Sequence, residues 1–305
     1  MTSTERAGYT FAILEIIAVG LVPAFSKFAA ERVDPLAYAA AASVVAAVLA
    51  CTLAARRGEL APIFDRRFAP RLIAIALCGT VATTLLLLFG ARITDGVSTA
   101  LLLQAEPIYS LALVTAVSGK AAPPRQLGGT ALILTGVLLV LFDGSLSVGV
   151  GGLLILLAPL GWQISHVLAL GVMPPLSPYA LTAARYFYGG VALCAISLAA
   201  TVAGFRGADG AVPLDGRALA MAVFHGVVLF FCGTLFWYET IRRIDLARAT
   251  ALVTPCEPLI SVLLVWGLLG SVPTRWQFLG LVVLLAGIFL LVRNDPAASR
   301  VESAA

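Results

Sequence analysis

The chain reads as a succession of apolar runs, separated by short clusters of Arg, Pro, Gly and Asp. A helix that crosses a bilayer needs about 20 mostly apolar residues. Windows of that kind fall at 10–29, 35–54, 71–91, 96–117 and 125–142. A second group falls at 149–170, 178–203, 217–239, 247–269 and 275–292. The longest connections, "ARRGELAPIFDRRFAPR" and "GFRGADGAVPLDGR", are loop-sized, so no extramembrane domain is expected. The first run contains Glu15 and is followed by many others, which marks it as an uncleaved first span rather than a signal peptide.

Composition fixes the solvent. The 305 residues are 60% hydrophobic and 12% charged, with a mean hydropathy of +1.00. Soluble domains are about 45–50% apolar and about 25% charged. The excess means that the outside of the protein is apolar as well, as a lipid bilayer requires. The net charge of +4 is spread over short arginine clusters between spans. It acts as a topology signal and does not imply a nucleic-acid partner. Thirteen of the 20 Lys and Arg residues fall on the side of the N-terminus and six on the other, with Arg185 inside a span. The positive-inside rule then places both termini in the cytoplasm. The five cysteines lie inside apolar runs without Cys-x-x-Cys spacing and serve as small packing residues.

A shift of 151 residues superimposes two halves. Arg92-Ile93 falls on Arg243-Ile244, Glu106-Pro107 on Glu257-Pro258, and Ser110 on Ser261. Gly129 and Gly136 fall on Gly280 and Gly287 in the same register. Asp34-Pro35 and Ser177-Pro178 each open the second span of a half. Five spans per half is an odd number, so the second half enters the membrane from the opposite face. The expected fold is an all-α integral membrane protein of ten transmembrane helices. They form two inverted five-helix repeats at 10–143 and 149–293, followed by a short cytoplasmic tail at 294–305. Inverted repeats of this kind belong to transporters that rock about a central site.

The pattern resembles the drug/metabolite transporter superfamily, specifically its EamA-like ten-span members. The resemblance runs from about Phe11 to Arg293. It rests on the Ser177-Pro178 entry with Arg185 seven residues on, on Trp162, and on "FWYETIRRIDLARATALVTPCEPLISVLLVWGLLG" with its Glu257-Pro258. Val19-Gly20 stands where the family usually has tryptophan-glycine, and Ala42 stands where a counterpart of Arg185 would lie. The resemblance implies a secondary transporter of a small metabolite in a bacterial inner membrane, often an exporter of amino acids. No G-x-x-x-x-G-K-[ST] motif supplies ATP, and no cofactor or metal is expected. Drive would come from protons or from the cargo's own gradient. A monomer or weak homodimer is expected.

The polar residues inside the spans are the candidate substrate-binding or coupling groups. Glu106 and Glu257 sit about 10 residues into their spans, roughly 15 Å along the helix and so near mid-depth. Either they face a cargo cavity or they tie the repeats together. Pro107 and Pro258 are the candidate hinges, since proline frees backbone carbonyls. Glu15 has no counterpart in the second half. Glu15 and Arg185 are expected either to pair across a gate or to meet an ionic cargo together. Gln104 and Gln163 need partners for their amides. His166 and His225 are lone histidines that serve packing or a proton relay. Trp162, Tyr109, Tyr186 and Trp237 are candidate pocket walls, suited to an amine by cation–π contact, whereas Tyr238 and Trp276 are expected in the interfacial belt. Glycines in "GGTALILTG", "GGLLILLAPLG" and "YGGVALCA" should let helices pack closely. The competing readings are an uptake carrier for an organic cation and a non-transporting scaffold or channel. No paired aspartates, Ser/His dyad or His-Glu-x-x-His supports an intramembrane enzyme.

Overall fold

The computed structural model describes residues 3–118, 121–142, 149–173, 175–205, 215–244 and 246–292. The tail at 294–305 expected from the sequence lies outside the described residues. Every described element is helical: α1 (Ser3–Gly20), α2 (Val22–Ala30), α3 (Pro35–Arg56), α4 (Ala69–Ala76), α5 (Thr83–Ile93), α6 (Gly96–Leu102) and α7 (Glu106–Ser118). They are followed by α8 (Pro124–Phe142), α9 (Val150–Leu170), α10 (Pro178–Val202), α11 (Gly216–Phe224), α12 (Gly233–Arg243), α13 (Leu246–Leu269) and α14 (Arg275–Val292).

Seven of the described helical stretches are long and apolar enough to cross a membrane by length and composition alone. Three are composite or broken. α1 and α2 join through Leu21 into one stretch, Ser3–Ala30. α4 and α5 join through a π-helical turn at Leu77–Ala82 into Ala69–Ile93. α11 and α12 join through a second π stretch, His225–Cys232, into Gly216–Arg243. The remaining four are α3, α8, α9 and α10. The region of the fourth expected span is split by a 3₁₀ turn at Leu103–Ala105 into α6 and α7. Cys256–Leu269 and Arg275–Leu290 register as shorter apolar helices.

The starts of these helices follow from local chemistry. Asp34 accepts a hydrogen bond from Ala37 N at 2.9 Å, and Ser177 accepts one from Ala180 N at 3.2 Å, each with proline at the first helical position. Asp95 and Asp215 cap α6 and α11 in the same way. These caps satisfy amide donors that an apolar medium could not.

Packing repeats the sequence duplication. α8 lies along α14 and α3 along α10, so the equivalent helices of the two halves meet one another. α1 packs on α12 and α13, while α9 packs on α5 and α7. The self-pairs are antiparallel. A Cβ on Gly136 would meet Gly280 O at 2.8 Å, and one on Gly287 would meet Gly129 O at 2.7 Å. Arg125 Nε donates to Leu290 O at 3.1 Å, which extends the same crossing. On the other self-pair, Ser43 lies beside Gly190 and Cys51 beside Ala183. The glycine motifs therefore sit at close helix crossings. Side chains pointing away from the bundle are apolar, among them Leu138, Val191, Phe278 and Phe289, each more than half exposed. A lipid-facing surface has this character.

Candidate functional site

Between the helix pairs lies a cavity of about 360 Å³. Its wall takes residues from α1, α2, α5, α7, α9, α10, α12 and α13, and from both π stretches. π turns widen a helix locally, and here they carry Gly79, Thr80, His225, Leu229 and Phe230 to the cavity. The cavity reaches Leu170 at the end of α9, Ile241 near the end of α12 and Gln126 in the first turn of α8. Toward the opposite end it stops at Ser26, Leu87 and Leu88. Beyond them, Arg92 Nη1 donates to Ala30 O at 2.6 Å, Lys27 Nζ donates to Arg92 O at 3.4 Å, and Lys27 pairs with Glu31 at 2.9 Å. One end of the bundle is thus tied shut by charged groups and the other is approached by the cavity.

Among the expected site residues, Glu15, Gln104, Glu106, Trp162, Gln163, His166, Arg185, Tyr186, Trp237 and Glu257 all line this space. The three glutamates converge from α1, α7 and α13, close enough for Glu15 and Glu106 to interact electrostatically with Glu257 and with each other. Glu106 accepts a short hydrogen bond from Gln163 Nε2, and His166 Nδ1 lies 4.0 Å from its Oε1. Glu15 is 4% exposed, and its Oε2 has no hydrogen-bond partner among the described residues. Ser26 Oγ and Trp237 Nε1 are likewise buried without a partner. Buried polar atoms left in this way require a water or a ligand.

Arg185 is 5% exposed, so it does not reach out to lipid headgroups. Its Nε donates to Thr80 Oγ1 at 3.1 Å and its Nη2 to Gly79 O at 2.5 Å. A Cβ on Gly79 would run into the Ser165 and Arg185 side chains, so glycine there makes room for the guanidinium. The expected ion pair with Glu15 is not formed. The π turn offers Arg185 a carbonyl and a hydroxyl nearer at hand. Among the described residues no carboxylate lies within ion-pair distance of it, and it faces the cavity that Glu15 also faces.

The structure corrects further expectations. Tyr109 is not part of the cavity wall. Its hydroxyl donates to Leu156 O at 2.8 Å and fastens α7 to α9. Tyr238, expected in an interfacial belt, is fully buried and lines the cavity. His225 also lines it, hydrogen-bonded to Tyr38 Oη at 3.1 Å and packed on Phe230. Trp276 sits in the first turn of α14, edge-on to Phe142. Pro107 is the second residue of α7, just after the 3₁₀ break, while α13 runs unbroken through Pro258. Tyr186 is held by Phe230 O at 2.8 Å and Thr234 Oγ1 at 2.7 Å. The sequence reading missed Thr80, Thr83, Thr84 and Thr234, because threonine within an apolar run commonly bonds its own helix backbone.

The sequence profile of the EamA-like transporter family matches this chain twice, at residues 6–142 and 149–293. The chain belongs to the EamA-like transporter family. It is therefore a multi-pass membrane transporter, as members of that family are, with lipid around it and a small molecule as cargo. The family sits within the drug/metabolite transporter superfamily that the motifs resemble. The uncharacterized transporter YyaM of Bacillus subtilis (strain 168) is 24% identical over 254 residues, covering 81% of this chain and 79% of YyaM. A solved protein crystal structure superimposes with a TM-score of 0.67 at 14% identity. It covers 97% of this chain and 99% of its own. That likeness speaks to fold alone.

Proposed function

We propose that this protein is a secondary-active carrier that exports a small amino-acid-like metabolite across a bacterial inner membrane by alternating access. It spans the membrane ten times as two inverted five-helix repeats, with both termini in the cytoplasm. The observation that carries this reading is the pairing of unlike groups in one cavity. Arg185 has no carboxylate partner of its own among the described residues, and the Glu15 carboxylate retains an unpartnered oxygen. A zwitterion answers both needs, its carboxylate meeting Arg185 and its ammonium meeting Glu15. Trp162 and Trp237 supply apolar and cation–π surface around it.

The antiparallel crossings of α8 with α14 and of α3 with α10 support the inverted arrangement, since a pseudo-two-fold axis in the membrane plane reverses each helix. The cavity's approach to Leu170 and Ile241, with Arg92 and Lys27 tying the other end, supports a carrier caught open to one side. The positive charge around 56–71 and 242–248 supports that side being the cytoplasm. Cargo would load from the cell in this state and leave when the ties exchange ends.

A second reading, uptake of an organic cation, draws on the excess of carboxylates over guanidinium in the cavity. Counterflow in liposomes separates the two. Purified protein preloaded with an amino-acid mixture should accumulate labelled amino acids with saturation. Saturable counterflow of quaternary amines alone would favour the second reading, and unsaturable conduction would mean a pore.

A further inference from the structure

The two glutamate-proline sites are equivalent in sequence, yet their surroundings differ in a way that divides their labour. Gly8 and Gly151 occupy matching places, against Ile244 and Ile93 respectively, and these two isoleucines are themselves repeat mates. The offset of 143 residues that they define puts Gly20 where the other half has Gln163, and Pro23 where it has His166. Glu106 consequently faces an amide and an imidazole across the α7–α9 contact, at hydrogen-bond distance and at 4.0 Å. The α1–α2 stretch carries no amide or imidazole at those places, and the charged neighbours of Glu257 are Glu15 and Glu106. Duplication alone would have given both carboxylates the same shell.

We propose that Glu106, Gln163 and His166 form a proton-binding site distinct from the Arg185–Glu15 cargo site, and that a proton crosses there in exchange for exported cargo. The inference rests on the carrier reading above. Gln163 donates to Oε1 of Glu106 and fixes the carboxyl's orientation, which leaves Oε2 as the atom that takes the proton. His166 acts as a positioning group, a polar neighbour whose ring is held 5.7 Å from the Trp237 ring. The other ionisable groups of the cavity are Glu15 from α1, Arg185 and Tyr186 from α10, His225 from the second π stretch, Tyr238 from α12 and Glu257 from α13, with Cys256 beside Glu257. α8 contributes the uncharged Gln126. Two further carboxylates at close range make charge on Glu106 depend on what else the cavity holds, because like charges oppose one another there.

The cycle balances with water as the only other reactant. When the cavity faces outward, a hydronium ion gives its proton to the carboxylate and becomes water. The O–H bond then travels with the carboxyl group. When the cavity faces inward, that bond breaks and the proton joins a water on the cytoplasmic side. An arriving ammonium group on Glu15 favours release, since it adds positive charge beside the site.

Infrared titration of the purified protein in liposomes, without cargo, tests the site directly. The wild type should show a carboxyl C=O band that disappears as pH rises, the Glu106→Gln variant should lack it, and Glu257→Gln should keep it. His166→Phe and Gln163→Leu, which leave the Glu106 carboxyl in place, should move the band's midpoint. A Glu106→Gln spectrum that retains the band, or midpoints that neither variant moves, would overturn the proposal. In a second arm, pyranine trapped in wild-type liposomes reads proton flux driven by an amino-acid mixture. Amino-acid flux without proton flux would also overturn it. Absence of both fluxes would count against the cargo reading and leave the infrared result to decide the proton site.

Discussion

Gly136 of α8 lies against the backbone carbonyl of Gly280 of α14, and their repeat mates Gly287 and Gly129 make the reciprocal contact. One pair of contacts thus maps onto the other by exchanging halves, and the two helices run in opposite directions through it. The crossing leaves no space for a side chain. Gly136→Val should force the helices apart and destabilise the protein by about 1–3 kcal/mol, the usual cost of overpacking. Thermal unfolding in detergent checks this, with Gly267→Val, where no atom of the described residues lies within 4 Å of the added Cβ, as the control.

The hydrogen bonds of Arg185 give a test of cargo binding. Arg185→Lys keeps the charge but loses the planar fork that holds Thr80 and Gly79 while facing the cavity. Loss of one charge-assisted hydrogen bond is worth about 1.5–3 kcal/mol. Half-saturation for counterflow should rise by roughly tenfold or more, with the protein still folded. An unchanged half-saturation would remove Arg185 from the binding site.

Tyr109 provides the contrasting case. Its hydroxyl fastens α7 to Leu156 and does not enter the cavity wall. Tyr109→Phe should cost about 0.5–1.5 kcal/mol of stability and leave the half-saturation for counterflow unaltered. The two variants together separate structural polar groups from functional ones.

The helical membrane character and the duplication were legible in the sequence because their signals are sparse and sharp. A repeat read from Glu-Pro, Arg-Ile and paired glycines is insensitive to the apolar background. The wall of the cavity was harder to read, and Tyr238 shows why. In a span that is apolar on its lipid face and apolar in its core, periodicity does not say which side faces inward. Tyr238, close to an arginine-rich helix end, carried the usual mark of an interfacial residue, yet it is buried. Tyr109 failed in the opposite sense, since an aromatic residue inside a span was expected on a pocket wall and instead fastens two helices. The partner of Arg185 was hidden for another reason. It is a carbonyl freed by the π turn at 77–82, which no side-chain pattern announces.

Arg92 and Arg243 are repeat mates in unlike states. Arg92 reaches across to Ala30 O, while Arg243 lies on Glu239 of its own helix and over the Phe11 ring. Removing the cross-tie should loosen the closed end. In an Arg92→Ala background, Ser26→Cys should react with a membrane-impermeant maleimide, added from the periplasmic side, about tenfold faster than with Arg92 in place. That factor corresponds to about 1.4 kcal/mol, just below the range of about 1.5–3 kcal/mol for a hydrogen bond to a charged group.

The central claim is that two homologous halves are inserted in opposite senses, and topology reporters test it most directly. Paired alkaline-phosphatase and fluorescent-protein fusions at residues 122 and 272 mark equivalent loops of the two halves. The inverted arrangement predicts a cytoplasmic signal at 122 and a periplasmic signal at 272. Both signals in one compartment would contradict it.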